Sequence, residues 1–125
     1  MNGLVFYHIA VASLNIEKKR HNYKFLGYTK EKTPFIDEIQ GVKGQFIIAE
    51  GQPRIELLEN LEGSHTLDIW LKNNTKMYHL AYYVKDLDKS IESFTNNRAK
   101  IIMHATKSVY FKNRICFYVA QYVRD

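Results

Sequence analysis

The chain has 125 residues, 46% of them apolar and 14% aromatic, enough for one hydrophobic core and typical of a globular domain. A formal net charge of +5 draws anionic partners, but the lysines are dispersed and only Lys18-Lys19-Arg20 forms a run, which argues against a nucleic-acid tract. No stretch approaches the roughly 18 apolar residues that cross a bilayer, no apolar signal core follows a charged start, and the single Cys116 can form no intrachain disulfide; a cytoplasmic location is expected.

Leu4 to Val11, rich in β-branched and aromatic residues, reads as a buried strand. Asn15 is placed to cap a helix, with Glu17 near its positive end and Gly27 stopping it. Ile16, Tyr23 and Leu26 give that helix a thin apolar stripe. A strand is predicted over Tyr28 to Lys32, ended by Pro34, and Asp37 to Gly44 reads as a loop. Gln45 to Ala49 and Arg54 to Glu59 form the arms of a hairpin around Glu50-Gly51-Gln52-Pro53. Alternation puts Arg54, Glu56 and Leu58 on one face of the second arm, and Ile55, Leu57 and Glu59 on the other. Asn60 to Asn74 is a connector with a short helix carrying Leu67, Trp70 and Leu71, capped by Ser64 or Thr66 and ended by Asn73-Asn74.

The remainder repeats the beginning. Tyr78-His79-Leu80-Ala81 echoes Tyr7-His8-Ile9-Ala10, with His8 and His79 separated by 71 positions, as are Asn15 and Asp86 and also Lys18 and Lys89. Asp86 is predicted to cap a helix with the stripe Leu87, Ile91 and Phe94, ended by Asn96-Asn97. Strands follow over Ala99 to Met103 and Arg114 to Ala120, with a loop or irregular strand from Ala105 to Lys112. In the latter strand Cys116 reads as a buried structural thiol. The expected fold is α+β, one domain over residues 1–125. It holds a β-α-β-β-β module over 1–60, a connector over 61–76, and a second such module over 77–125 that lacks its last strand. The two modules are expected to form a curved mixed sheet around a cleft.

Histidines at equivalent points of two related halves can converge when the halves pack about a pseudo-two-fold axis. Neutral imidazole is the commonest metal ligand near neutral pH, and carboxylate oxygens suit divalent ions. Glu56 is a carboxylate in an otherwise apolar strand, so His8, Glu56 and His79 are the candidate metal ligands. His21, His65 and His104 have no duplicated counterpart, and are expected to be ordinary core or surface residues.

Taken in order, His8-Ile9-Ala10-Val11, Arg54-Ile55-Glu56-Leu57-Leu58-Glu59 and Tyr78-His79-Leu80-Ala81 resemble the vicinal oxygen chelate superfamily. The loop Gln40-Gly41-Val42 and the helix entry Val84-Lys85-Asp86-Leu87 are similar to those of methylmalonyl-CoA epimerases and glyoxalase I-like proteins. The resemblance implies one divalent ion (cobalt, nickel, zinc, manganese or magnesium) held by His8, Glu56 and His79. It also implies a fourth ligand on a last strand. The repeat offset puts that counterpart of Glu56 at position 127, beyond Asp125, and leaves Gln121, Tyr122 or Asp125 as weak substitutes. Of the two bases in the family's epimerases, one is that terminal Glu and the other falls at Ile39, so Glu38 is a candidate only by a one-residue shift.

The implied function is a metal-dependent isomerase that moves a proton next to a thioester carbonyl through a stabilised enolate. A glyoxalase I-like lactoylglutathione lyase and a non-catalytic small-molecule-binding protein are the alternatives. The implied partners are an acyl-CoA or a glutathione adduct and a second copy of the chain. Nucleic acid and membrane are not among them.

Overall fold

A computed structural model describes residues 5–74, 76–96, 100–107 and 114–119 of the chain. Residues Phe6–Tyr82 make one compact unit; a second consists chiefly of the residues after Tyr82.

In the larger unit the β-branched and aromatic run of the first segment gives strand β1 (Val5–Ala12), and helix α1 (Ile16–Lys24) follows at once. Asn15 starts that helix as its composition demands: its side chain accepts from the Lys18 amide at 3.0 Å, and Glu17 sits in the first turn. Gly27, at φ +88°, supplies the left-handed residue that lets the chain turn away. Strands β2 (Thr29–Lys30), β3 (Phe35–Asp37), β4 (Val42–Ile48) and β5 (Ile55–Asn60) come next, then helix α2 (Asp68–Lys72) and strand β6 (Met77–Tyr83).

The sheet runs β2-β4-β5-β1-β6, with β3 paired to β4 beside β2. It is mixed and open: β1 lies parallel to β5, while β2, β3 and β5 are antiparallel to β4. The architecture is α+β, as expected. Alternation in β1 and β5 divides the core between the two faces of the sheet. Val11, Ile55 and Leu57 pack with Ile16, Tyr28 and Ile47 on the α1 side. Ala10, Ala12 and Leu58 pack with Val42 and Leu67 on the other, where Trp70, Leu71 and Tyr78 join them. The face expected to carry Glu56 and Leu58 is therefore the α2 face.

Two local expectations are corrected. Asp37 to Gly44 is not a loop: β3 ends at Asp37 and β4 begins at Val42, with Phe35 opposite Gly44 and Asp37 opposite Val42. Here a tight hairpin has the composition of a loop. The Asp37 carboxylate accepts from the Gln40 backbone at 3.1 Å and its side chain at 2.8 Å, and Gly41 takes φ +74°. The first module thus gains a strand. Nor does Ser64 or Thr66 cap α2. Thr66 Oγ1 donates to the Gln40 carbonyl at 2.5 Å, and the Asn60 side chain accepts from the Leu67 amide at 2.9 Å. Both side chains of the expected cap are turned toward the β3–β4 hairpin, to which they tie the connector.

In the smaller unit Asp86 caps helix α3 (Leu87–Asn96), accepting from the Lys89 amide at 3.0 Å, and α3 packs on strand β7 (Lys100–Lys107). Strand β7 pairs antiparallel with β8 (Arg114–Val119), with register shifts after Ile101 and Met103. The segment expected to end at Met103 therefore continues through Ala105 to Lys107, and the irregularity read in the sequence is a pair of register shifts. Leu4, Asn97, Ala99, Ala120, Gln121, Tyr122 and Asp125, and residues 108–113, lie outside the described residues.

Candidate metal centre

His8 projects from β1 onto the face that also carries Ala10 and Ala12, and is 2% exposed. Glu56, 5% exposed, stands on β5 opposite Ala10, so the parallel register sets it one pleat beyond His8 on the neighbouring strand. His79 comes from β6, which flanks β1 on its other side. Three adjacent strands thus deliver three side chains to one point. His8 Nε2 lies 3.3 Å from His79 Nε2 and 3.4 Å from Glu56 Oε1, and His79 Nε2 is 3.6 Å from the same oxygen. The structure brings together the two histidines marked by the repeat and the carboxylate of Glu56.

The three atoms form a nearly equilateral triangle. A point equidistant from them lies about 2.0 Å from each, the mean edge divided by √3, and this is the bond length of a divalent ion to imidazole nitrogen or carboxylate oxygen. The donor set fits as well, since two borderline imidazole nitrogens and one hard carboxylate oxygen together suit first-row divalent metals. His79 is held down to about 3, first by burial and then by its proximity to His8, so at neutral pH its ring is uncharged and has a lone pair to give.

Aromatic side chains close in on this triad. The rings of Tyr7 and Phe46 meet His8 edge-on at 4.7 and 5.0 Å between centroids. Phe35 stacks on Phe46 at 5.9 Å, lying across Gly44, where any Cβ would run into its ring. Tyr78 packs edge-on against Trp70 at 4.6 Å. Its hydroxyl pKa is raised, first by burial and then by the negative charge of Glu56. Sequence reading missed Phe46. Its register opposite Glu56 would have located it once the β4–β5 hairpin was aligned.

Glu38 is exposed in the β3–β4 turn and is not one of the three gathered residues. Neighbouring Asp37 is buried with both oxygens engaged by Gln40, which leaves it structural.

Residues 7–117 match the family model described as the glyoxalase/bleomycin resistance protein/dioxygenase superfamily. The chain belongs to that superfamily. No curated protein sequence matches it. Among solved structures, a hypothetical protein from Bacillus halodurans is 21% identical with a TM-score of 0.78, covering 93% of this chain and 84% of its own. Methylmalonyl-CoA epimerase from Mycobacterium tuberculosis is 21% identical with a TM-score of 0.76, covering 94% of this chain and 78% of its own. A methylmalonyl-CoA epimerase in complex with methylmalonyl-CoA is 19% identical with a TM-score of 0.76, at 94% and 86% coverage. At such identities these likenesses establish the fold that this superfamily member shares with them. No helix among the described residues is long and apolar enough to cross a membrane.

Proposed function

We propose that the chain is a metal-dependent isomerase of the vicinal oxygen chelate type that moves a proton at the carbon next to the thioester carbonyl of an acyl-CoA. The observation that carries this reading is the 3.3 to 3.6 Å triangle of His8, Glu56 and His79. The fold shared with methylmalonyl-CoA epimerases supports the substrate class, and the net charge of +5 suits a ligand bearing phosphates.

In this reading His8, His79 and Glu56 hold one divalent ion from a single side. The two imidazoles are neutral donors and Glu56 contributes one negative charge, so a bound dication keeps a net positive charge. A divalent ion held there supplies Lewis-acid polarisation of the thioester carbonyl and stabilises the negative charge that develops as the α-proton leaves. Tyr7, Phe35 and Phe46 keep water from the flank of His8, which raises the strength of every charge interaction beside it. The proton itself needs a base within hydrogen-bond reach. Glu38 is proposed for this role on its position ahead of Gln40-Gly41-Val42, with a carboxylate exposed to solvent.

The test is deuterium exchange at the α-carbon of methylmalonyl-CoA in heavy water, with and without prior chelation. Exchange that needs the ion and is lost in His8→Ala and His79→Ala is expected. A chain that binds an ion tightly yet exchanges no α-proton would remove the epimerase reading and leave the metal centre standing.

A further inference from the structure

A second site lies at the far end of the same strand. Where β1 runs out into Asn15 and α1, a cavity of about 270 Å³ opens between the first turn of that helix and α2. Trp70 and Leu71 form its apolar wall, and Lys18, Lys19 and Lys76 stand around it, with no acidic side chain among its lining residues. The charges of Lys19 and Lys76 repel across this hollow, with Lys18 at its edge, and an anion placed between them reverses the sign of that interaction. The backbone that carries them is fixed. The Lys76 carbonyl accepts from the Ala12 amide at 2.8 Å, and Lys18 and Lys19 belong to the turn fixed by Asn15.

Nearby carboxylates do not neutralise the trio. Glu17, at the start of the same helix, is taken by Arg20 at 3.1 Å and Lys30 at 3.4 Å and does not line the cavity. Among the described residues Lys18, Lys19 and Lys76 form no ion pair, whereas Arg54 is matched to Glu31 at 2.7 Å. Partial burial, and then the charge of Lys76, lower the pKa of Lys19.

We infer that this cavity binds a phosphate ester through Lys18, Lys19 and Lys76, with the flat or apolar body of the ligand against Trp70 and Leu71. The area of apolar wall beside the charges favours an organic phosphate over the free ion, since stacking on an aromatic face adds to the electrostatic attraction. Ala12 and His8 lie on one face of β1 about 13 Å apart along the strand, and the packed side chains of Ala10, Leu67 and Tyr78 belong to the face between them. The site is therefore separate from the metal triad and does not rest on the isomerase reading.

Trp70 is the only tryptophan and forms a wall of this cavity, so its fluorescence responds to a ligand bound there. In metal-free buffer at low salt, titration of the full chain with ADP is expected to give a saturable change. Inorganic phosphate is expected to produce a weaker one. Lys19→Gln and Lys76→Gln are each expected to weaken ADP about tenfold, and raising the salt to weaken it further, while His79→Ala leaves the titration unchanged. Circular dichroism checks that the lysine variants fold. An absent signal at millimolar ADP, or one indifferent to both lysine substitutions in folded protein, would overturn the inference.

Discussion

His8 Nε2 and His79 Nε2 stand 3.3 Å apart although 71 positions separate the two residues, because β1 and β6 lie side by side in the sheet. Each histidine occupies the same place in its copy of the repeat. Two imidazole nitrogens at that distance, with a carboxylate oxygen 3.4 Å from one and 3.6 Å from the other, share one small volume.

Removal of any corner of the triangle is expected to lower divalent-ion affinity by on the order of a hundredfold or more, since even the supporting residues of such sites are worth 10 to 100-fold. Glu56→Gln keeps an oxygen donor and loses the charge, so its loss should be smaller than that of Glu56→Leu. Cobalt titration followed by absorbance measures both. Equal affinities in wild type and His8→Ala would show that the ion sits elsewhere.

The β3–β4 hairpin depends on Gly41. Its φ of +74° costs an L-residue about 1 kcal/mol, and an added Cβ would run into Ser64 Oγ and approach Thr66 Oγ1 at 3.1 Å. Gly41→Ala is expected to destabilise the fold by about 2–3 kcal/mol. Adding Ser64→Gly should recover the steric share and leave the conformational one. Urea unfolding of the single and double variants gives both; no recovery would place the whole cost in the backbone.

Alkaline pH should act through Tyr23 and Tyr28, whose rings meet edge-on at 5.6 Å. Burial raises both hydroxyls above the ordinary value of 10.0, and Tyr23 adds to the effect on Tyr28. Above pH 10 the unfolded chain ionises these groups while the folded one resists. The unfolded state then binds fewer protons, so stability falls as pH rises from about 10 through the folded values. Tyr23→Phe should flatten that fall. Tyr28→Phe should do the same while losing about 1 kcal/mol at neutral pH, because its hydroxyl donates to the Pro53 carbonyl at 2.6 Å. Denaturant midpoints between pH 8 and about 11 decide it, and identical slopes in all three proteins would refute the assignment.

The triad was legible because duplication marks His8 and His79 without any contact map, and because alternation fixes the face of Glu56. Both caps at Asn15 and Asp86 were legible for the same kind of reason: a short polar side chain ahead of a helical stripe has one good use. What failed was tertiary. Ser64 and Thr66 have cap chemistry, but their hydroxyls bond to each other at 3.1 Å and Thr66 bonds across to Gln40, a partner 26 positions away. Asp37 to Gly44 has loop composition because hairpins use the same residues. The lysine-lined cavity was invisible for a related reason: Lys76 approaches Lys18 and Lys19 only once β6 lies beside β1.

Ion binding should also appear as stability, independently of any reaction. A ligand that binds only the folded chain adds about 2.7 kcal/mol at a free concentration of a hundred times Kd, which for a domain of this size is a rise in Tm of roughly 10 °C. Chelation should remove that rise in wild type, and His79→Ala should not show it at all. The exposed pair His65 and Asp68, 2.7 Å apart, is the natural competitor for an added ion and serves as the control. His65→Ala is expected to keep the full rise. If instead the rise persists in His79→Ala and disappears in His65→Ala, the ion belongs to the surface pair and the buried triangle is only a hydrogen-bonded cluster.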